Sequence, residues 1–155
     1  MHRPGRDMHL NKASNFKAML LTRKAEFSAS HVCRNQALSD AENQALYGVN
    51  ANPHGHGHNY VLEVTIEGDP DPVTGMVFDL RQLKEIINAE VVDPMDHRFL
   101  NHEVPPFDRT VPTTENIAVE IWKRLQNRIA LPNARLKNVR LYETADLYVD
   151  YGGEV

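Results

Sequence analysis

From His54 to Glu67 the even-numbered positions read His54, His56, His58, Tyr60, Leu62, Val64 and Ile66, while the odd-numbered ones include Asn59, Glu63, Thr65 and Glu67. A period of two marks a strand with one buried face, so the imidazoles of this segment continue an apolar row. A second run of the same kind comes earlier. Met19, Leu21, Arg23, Ala25, Phe27, Ala29, His31 and Cys33 alternate with Thr22, Lys24, Glu26, Ser28 and Ser30. His31 and Cys33 therefore share the inner face of a long half-buried strand.

The rest of the chain is punctuated by caps and turns. Between the two strands lies a polar excursion in which Ser39 and Glu42 are spaced like a capping box, which predicts a short helix inside an insertion. After the second strand, the turn signal "EGDPDPVTG" predicts a hairpin with "MVFD" as a short return strand. Asp79 is placed to cap a helix with Gln82 three residues on, and Leu80, Leu83, Ile86, Ile87 and Val91 form its apolar stripe. Thr113 or Thr114 caps a second helix carrying Ile117, Ile121, Leu125 and Ile129, and Pro132 ends it. "ARLKNVRLYE" and "DLYVDY" read as two more strands. The order ββααββ predicts an α+β fold, an antiparallel β-sheet with two helices packed on one side.

A chain of 155 residues is one domain, expected over residues 18–155, with the polar and aperiodic residues 1–17 as a flexible leader. That length is too short for a site between two lobes, so an elaborate active site needs an oligomer to help build it. With 17 basic against 21 acidic residues, nothing points to nucleic acid or a membrane surface as partner. The single Cys33 cannot form an intrachain disulfide, and no apolar stretch is long enough to span a bilayer, so a reduced cytoplasmic location is expected.

The histidine segment admits a metal site, a solvated loop or a core strand rich in imidazole. Residues two apart on a strand point the same way and sit ~7 Å apart along it, so His56 and His58 can converge on one ion. Gly55 and Gly57 leave room beside them. If the two strands pair, His31 is available as a third ligand, and three imidazoles without a fourth protein ligand describe a catalytic zinc with an open position. His54 shares the parity of the pair and is either a fourth ligand or, since it follows Pro53, a partly solvated loop side chain, the favoured reading; His2, His9 and His102 read as surface residues.

Taken in order, "FSASH", "LSDAEN", "NPHGHGHNY", "DPVTGMVFDL", "MDHRFLN", "PTTENIA" and "YET" resemble the 6-pyruvoyl tetrahydropterin synthase family, which includes the 6-carboxytetrahydropterin synthases of deazapurine biosynthesis. The resemblance implies a tunnelling fold (T-fold) whose units associate into a trimeric barrel, two trimers stacking into a homohexamer with sites between subunits. It implies zinc held by His31, His56 and His58, and a small-molecule substrate, 7,8-dihydroneopterin triphosphate, whose hydroxyls approach the ion. Asp96 and His97 match the family's catalytic pair. Glu143 matches the glutamate that anchors the pterin. Thr113, Thr114 and Glu115 occupy the "TTE" segment, where backbone groups help hold the ring, although capping alone explains their types.

One departure bears on the reaction. Pyruvoyl-forming members carry a cysteine where this chain has Asn50, and an amide has no basic form near neutral pH. Cys33 is either the base acting from another wall of the pocket or a small buried hydrophobe. The expected activity is a zinc-dependent lyase giving 6-pyruvoyl tetrahydropterin. The alternatives are 6-carboxytetrahydropterin synthesis, side-chain cleavage, or a degenerate pterin-binding protein.

Overall fold

The computed structural model describes residues 19–154; the expected leader over residues 1–17 lies outside them. Strands β1 (Met19–His31) and β2 (His56–Gly68) pair antiparallel without a register shift, from Met19 opposite Gly68 to His31 opposite His56. β5 (Ala134–Thr144) pairs antiparallel with β2, placing Leu62 opposite Leu141 and Val64 opposite Val139. β6 (Leu147–Tyr151) returns along β5. Two-residue strands extend the sheet: β3 (Arg98–Phe99) runs parallel to β1, and β4 (Ala130–Leu131) antiparallel to β5. The sheet is therefore mixed at its β1 edge, where sequence reading expects antiparallel pairing throughout.

One face of the sheet is dry. Phe27, Tyr60, Leu62, Val64, Ile66, Val139 and Leu141 are buried on it, with the Phe27 and Tyr60 rings stacked at 5.1 Å. Against it pack α2 (Leu80–Ile87) through Leu83, Ile86 and Ile87, and α5 (Thr114–Leu125) through Ile117, Ile121 and Leu125. Burying a side chain of this size stabilises the fold by about 1.5–3 kcal/mol. The opposite face is polar: Thr22 meets Thr65 at 2.8 Å, Ser28 meets Asn59 at 2.6 Å, and Arg140 makes a two-pronged pair with Asp150.

The caps are where the side chains predict them. Ser39 Oγ accepts from the Glu42 amide at the head of α1 (Asp40–Tyr47), Asp79 from the Arg81 and Gln82 amides, and Thr113 from the Asn116 amide. Three details differ from the sequence reading. "MVFD" is not a strand, because Val77 and Phe78 are buried against the core without ladder partners. The last helix ends at Leu125, four residues before Ile129, whose carbonyl instead accepts from the Leu136 amide. β1 stops at His31, so Cys33 lies just beyond the strand. Past α2 the chain widens into a π-type turn (Asn88–Val92), followed by the short helices α3 (Asp93–Met95) and α4 (Leu100–Glu103) on either side of β3.

Candidate metal centre and active site

The β1–β2 register places His31 directly opposite His56 and Ala29 opposite His58. All three imidazoles consequently project from the inner face at one end of the strand pair. Their candidate ligand atoms lie within 4.8 Å of one another, and His31 Nε2 is 3.0 Å from His56 Nε2. His31 is 1% exposed, and its Nδ1 donates to the Pro112 carbonyl at 2.7 Å. That bond fixes the tautomer and leaves the Nε2 lone pair facing the other two rings. Burial holds the His31 and His58 imidazoles below their ordinary proton affinity, which favours the neutral form, the one a metal binds. His58 Nε2 is buried without a hydrogen-bond partner among the described residues. An unpaired nitrogen here, aimed at two other imidazoles, fits a divalent metal ion.

The loop entering β2 is built for this approach. Gly55 has φ of 75°, and a Cβ there would stand 3.3 Å from the His31 carbonyl and 3.2 Å from the Phe99 ring. Glycine is what lets β2 begin tight against the end of β1. His54, one residue earlier, is exposed, with its amide bonded to Asn52 Oδ1, as its place after Pro53 predicts.

Beyond His31 the chain is held by asparagine side chains acting as surrogate backbone. Asn101 accepts from the Val32 amide at 2.8 Å and donates to its carbonyl at 2.9 Å. Asn43, 1% exposed, does the same for Asn35 and also donates to the Leu38 and Ser39 carbonyls. The Cys33 amide donates to the Asn50 carbonyl at 2.9 Å. The Cys33 thiol and Asn50 therefore border one hollow, together with Thr113, Thr114, Glu115 and Glu143. Cys33 is 6% exposed, and burial, reinforced by Glu143 and Glu115, pushes its thiol up to about 11.

Glu143 lies one step past the last β2–β5 pair, Val61 with Tyr142, which puts it on the row of His58 and Tyr60. Its Oε1 is 3.4 Å from His58 Nε2 and 3.6 Å from His31 Nε2. Pro112, Asn43 and Asn101 carry no sequence signal for a site, since two act on backbone groups and the third offers only a carbonyl.

Asp96 and His97 are together but elsewhere. Asp96 accepts from the Ser28 amide and from His97 Nδ1, each at 2.8 Å, and the His97 amide bonds back to the Ser28 carbonyl. His97 has φ of 59°, a conformation that costs a non-glycine residue on the order of 1 kcal/mol. Its side chain is 83% exposed, with Nε2 directed away from its acid. His97 lines a second hollow with Ser28, Ser30, Asn59 and Arg98; His58 borders this one, but Cys33 and Glu143 do not. The basic residues near the strands, Lys24, Arg34 and Arg98, each face a carboxylate of this chain: Glu63, Asp40 and Glu103.

The Ser28 amide, and next the His97 ring, hold the Asp96 carboxyl below the usual carboxylate range. The ionised form is thus favoured by folding, and its contribution is present above the unfolded value and lost as pH falls through the folded one. Wild type is expected to melt above Asp96→Asn near neutrality, with the gap closing as pH drops below about 4. Thermal midpoints of the two proteins across that range check it.

A curled sheet backed on one face by helices, with three histidines able to hold a metal ion at the end of its first two strands, defines a T-fold enzyme. The family profile for 6-pyruvoyl tetrahydropterin synthase matches residues 20–154, and the chain belongs to that family. The 6-pyruvoyl tetrahydrobiopterin synthase of Pongo abelii is 47% identical over 134 residues, covering 86% of this chain and 91% of that protein. The Homo sapiens 6-pyruvoyl tetrahydrobiopterin synthase is 46% identical over the same length and shares. Among solved structures, Caenorhabditis elegans 6-pyruvoyl tetrahydropterin synthase superposes with a TM-score of 0.83 at 39% identity, covering 88% of this chain and 96% of that one. Among the described residues no helix is long and apolar enough to cross a membrane.

Proposed function

We propose that the protein is a zinc-dependent lyase that converts 7,8-dihydroneopterin triphosphate to 6-pyruvoyl tetrahydropterin with loss of triphosphate. The observation that carries this reading is the convergence of His31, His56 and His58 beside Glu143 in a chain of this family. Incubation of the zinc-loaded protein with that substrate, with products identified by mass spectrometry, tests it.

His31, His56 and His58 would hold the zinc, which supplies Lewis-acid polarisation of a substrate oxygen so that a proton on the neighbouring carbon becomes removable. Glu143 suits the pterin ring, because its two oxygens can accept from the ring amino group and the adjacent ring N–H as a planar pair. Thr113, Thr114 and Glu115 line the same hollow at the head of α5, where backbone groups can hold the ring edge. Asp96 orients His97 for proton exchange.

Cys33 takes the place of the thiol missing at Asn50. It accepts a proton only after surrendering its own, and the outward Nε2 of His97 from a neighbouring subunit has the chemistry to receive it. A homohexamer, a dimer of trimers with sites between subunits, would bring the two together. Replacing Cys33 by Ala is expected to abolish turnover while zinc and pterin binding persist. Undiminished turnover would remove Cys33 from the mechanism.

A second reading rests on Asn50 itself. A hollow whose only thiol is buried and protonated favours a reaction that dispenses with the loop cysteine: 6-carboxytetrahydropterin formation or side-chain cleavage. The product mass separates these outcomes, and zinc binding with no product would mark a pterin-binding protein without chemistry.

A further inference from the structure

The geometry points to the Tyr60 hydroxyl as a positioning group for Glu143: it donates to that carboxylate while a pterin is seated and holds it in the plane of the ring. The inference rests on the reading of Glu143 as the pterin anchor given above. Tyr60 is 0% exposed, and its hydroxyl oxygen is buried without a hydrogen-bond partner among the described residues. Leaving a buried donor unpaired costs stability, so a chain that keeps one gains something elsewhere. Packing does not account for the oxygen. The Tyr60 ring stacks on Phe27 at 5.1 Å, a contact that a phenylalanine would make equally well.

Tyr60 faces Phe27 across β1, and on its other side, one step past the pair of Val61 with Tyr142, it stands across from Glu143. Side chains so placed share a face, with Cβ atoms roughly 4.5–5.5 Å apart. The Tyr60 ring lies edge-on to His58 at 5.6 Å and to His31 at 6.3 Å, the same two imidazoles whose Nε2 atoms Glu143 Oε1 approaches at 3.4 and 3.6 Å. Phenol and carboxylate thus converge on one corner of the site. The imidazoles do not serve Glu143 as donors, because His31 gives its proton to the Pro112 carbonyl and His58 Nε2 makes no hydrogen bond. Tyr60 is a donor in waiting: burial, and after it Glu143 and Cys33, raise its proton affinity, so the hydroxyl keeps its hydrogen. Of those two neighbours the carboxylate is the better acceptor, since the Cys33 thiol, pushed up to about 11, is neutral. Each carboxylate oxygen has two acceptor positions, so a bond from the phenol leaves room for the paired bonds from the ring. A bond made only in the loaded state contributes to pterin affinity and nothing to the resting fold.

The test uses the full chain loaded with zinc, and the unsubstituted pterin ring as probe, its binding read by fluorescence. Tyr60→Phe, which removes the oxygen and keeps the stacked ring, is expected to bind pterin roughly tenfold to a hundredfold more weakly, the order for a lost hydrogen bond to a charged group. Zinc affinity should stay unchanged. The thermal midpoint of the pterin-free variant should equal or exceed that of wild type, because an unpaired buried donor has been removed. With Glu143→Gln already in place, the same substitution should cost only about a few-fold in pterin affinity, since an amide oxygen is a neutral acceptor and the two side chains act as a pair. Equal pterin affinity in wild type and Tyr60→Phe would overturn the assignment, and so would a loss undiminished beside Glu143→Gln, which would route the hydroxyl through another group. A parallel fall in zinc affinity would give the hydroxyl to the metal centre instead and overturn it likewise. A pterin-free midpoint well below that of wild type would mean a bond already made at rest, and would overturn its dependence on pterin. Failure of the wild type to bind the ring would overturn the anchoring reading itself.

Discussion

Replacing His31 by Ala is expected to weaken zinc binding on the order of a hundredfold or more and to remove turnover with it. The imidazole is almost wholly buried, is oriented by the Pro112 carbonyl, and is the only member of the triad supplied by β1. Loss of that bond also costs the fold about 1 kcal/mol, so circular dichroism should accompany the measurement to show that the variant remains folded. His54→Ala and His102→Ala are the matched controls, because both residues are exposed and outside the cluster. Metal content after dialysis, read beside product formation, decides the matter. A His31→Ala protein that keeps wild-type zinc affinity would mean that the three rings meet for packing alone.

The second large effect concerns His97. His97→Ala should lower turnover by about 10²- to 10⁴-fold, the range for a lost acid–base group, while zinc affinity stays unchanged. Co-assembling it with Cys33→Ala, itself expected to be inactive, should restore activity. In a ring whose subunits meet head to tail, a site needing an intact thiol side from one subunit and an intact His97 side from the next arises in about a quarter of random pairings. If each site were complete within one chain, no mixture of the two variants would recover anything. Titrating the ratio of the two proteins and following product formation distinguishes these cases.

Much of this was legible before any coordinates. Alternation alone placed His31, His56 and His58 on inner faces, because a strand's side-chain direction follows from parity. Ser39, Asp79 and Thr113 announced their helices because their side-chain oxygens do the capping. What alternation cannot supply is register. The long connection from His31 to His56 imposes no turn geometry, so nothing in it says that these two residues face each other. Val77 and Phe78 looked like a strand because an apolar pair reads the same whether it pairs or merely plugs a core. The Pro112 carbonyl and the left-handed backbone of His97 are properties of the main chain, to which residue type is nearly silent. The place of Glu143 was half visible: the resemblance singled it out through "YET", but only the distances tie it to His58 and His31.

Strand β1 serves two masters. At Ser28 its backbone clamps Asp96 and His97; three residues later His31 reaches into the histidine cluster on the inner face. If neighbouring subunits share sites, each copy of this strand is a beam resting on two of them. A lesion that bends it would then cripple a pair of catalytic pockets at once, and one faulty copy in a mixed ring would subtract more than its own share.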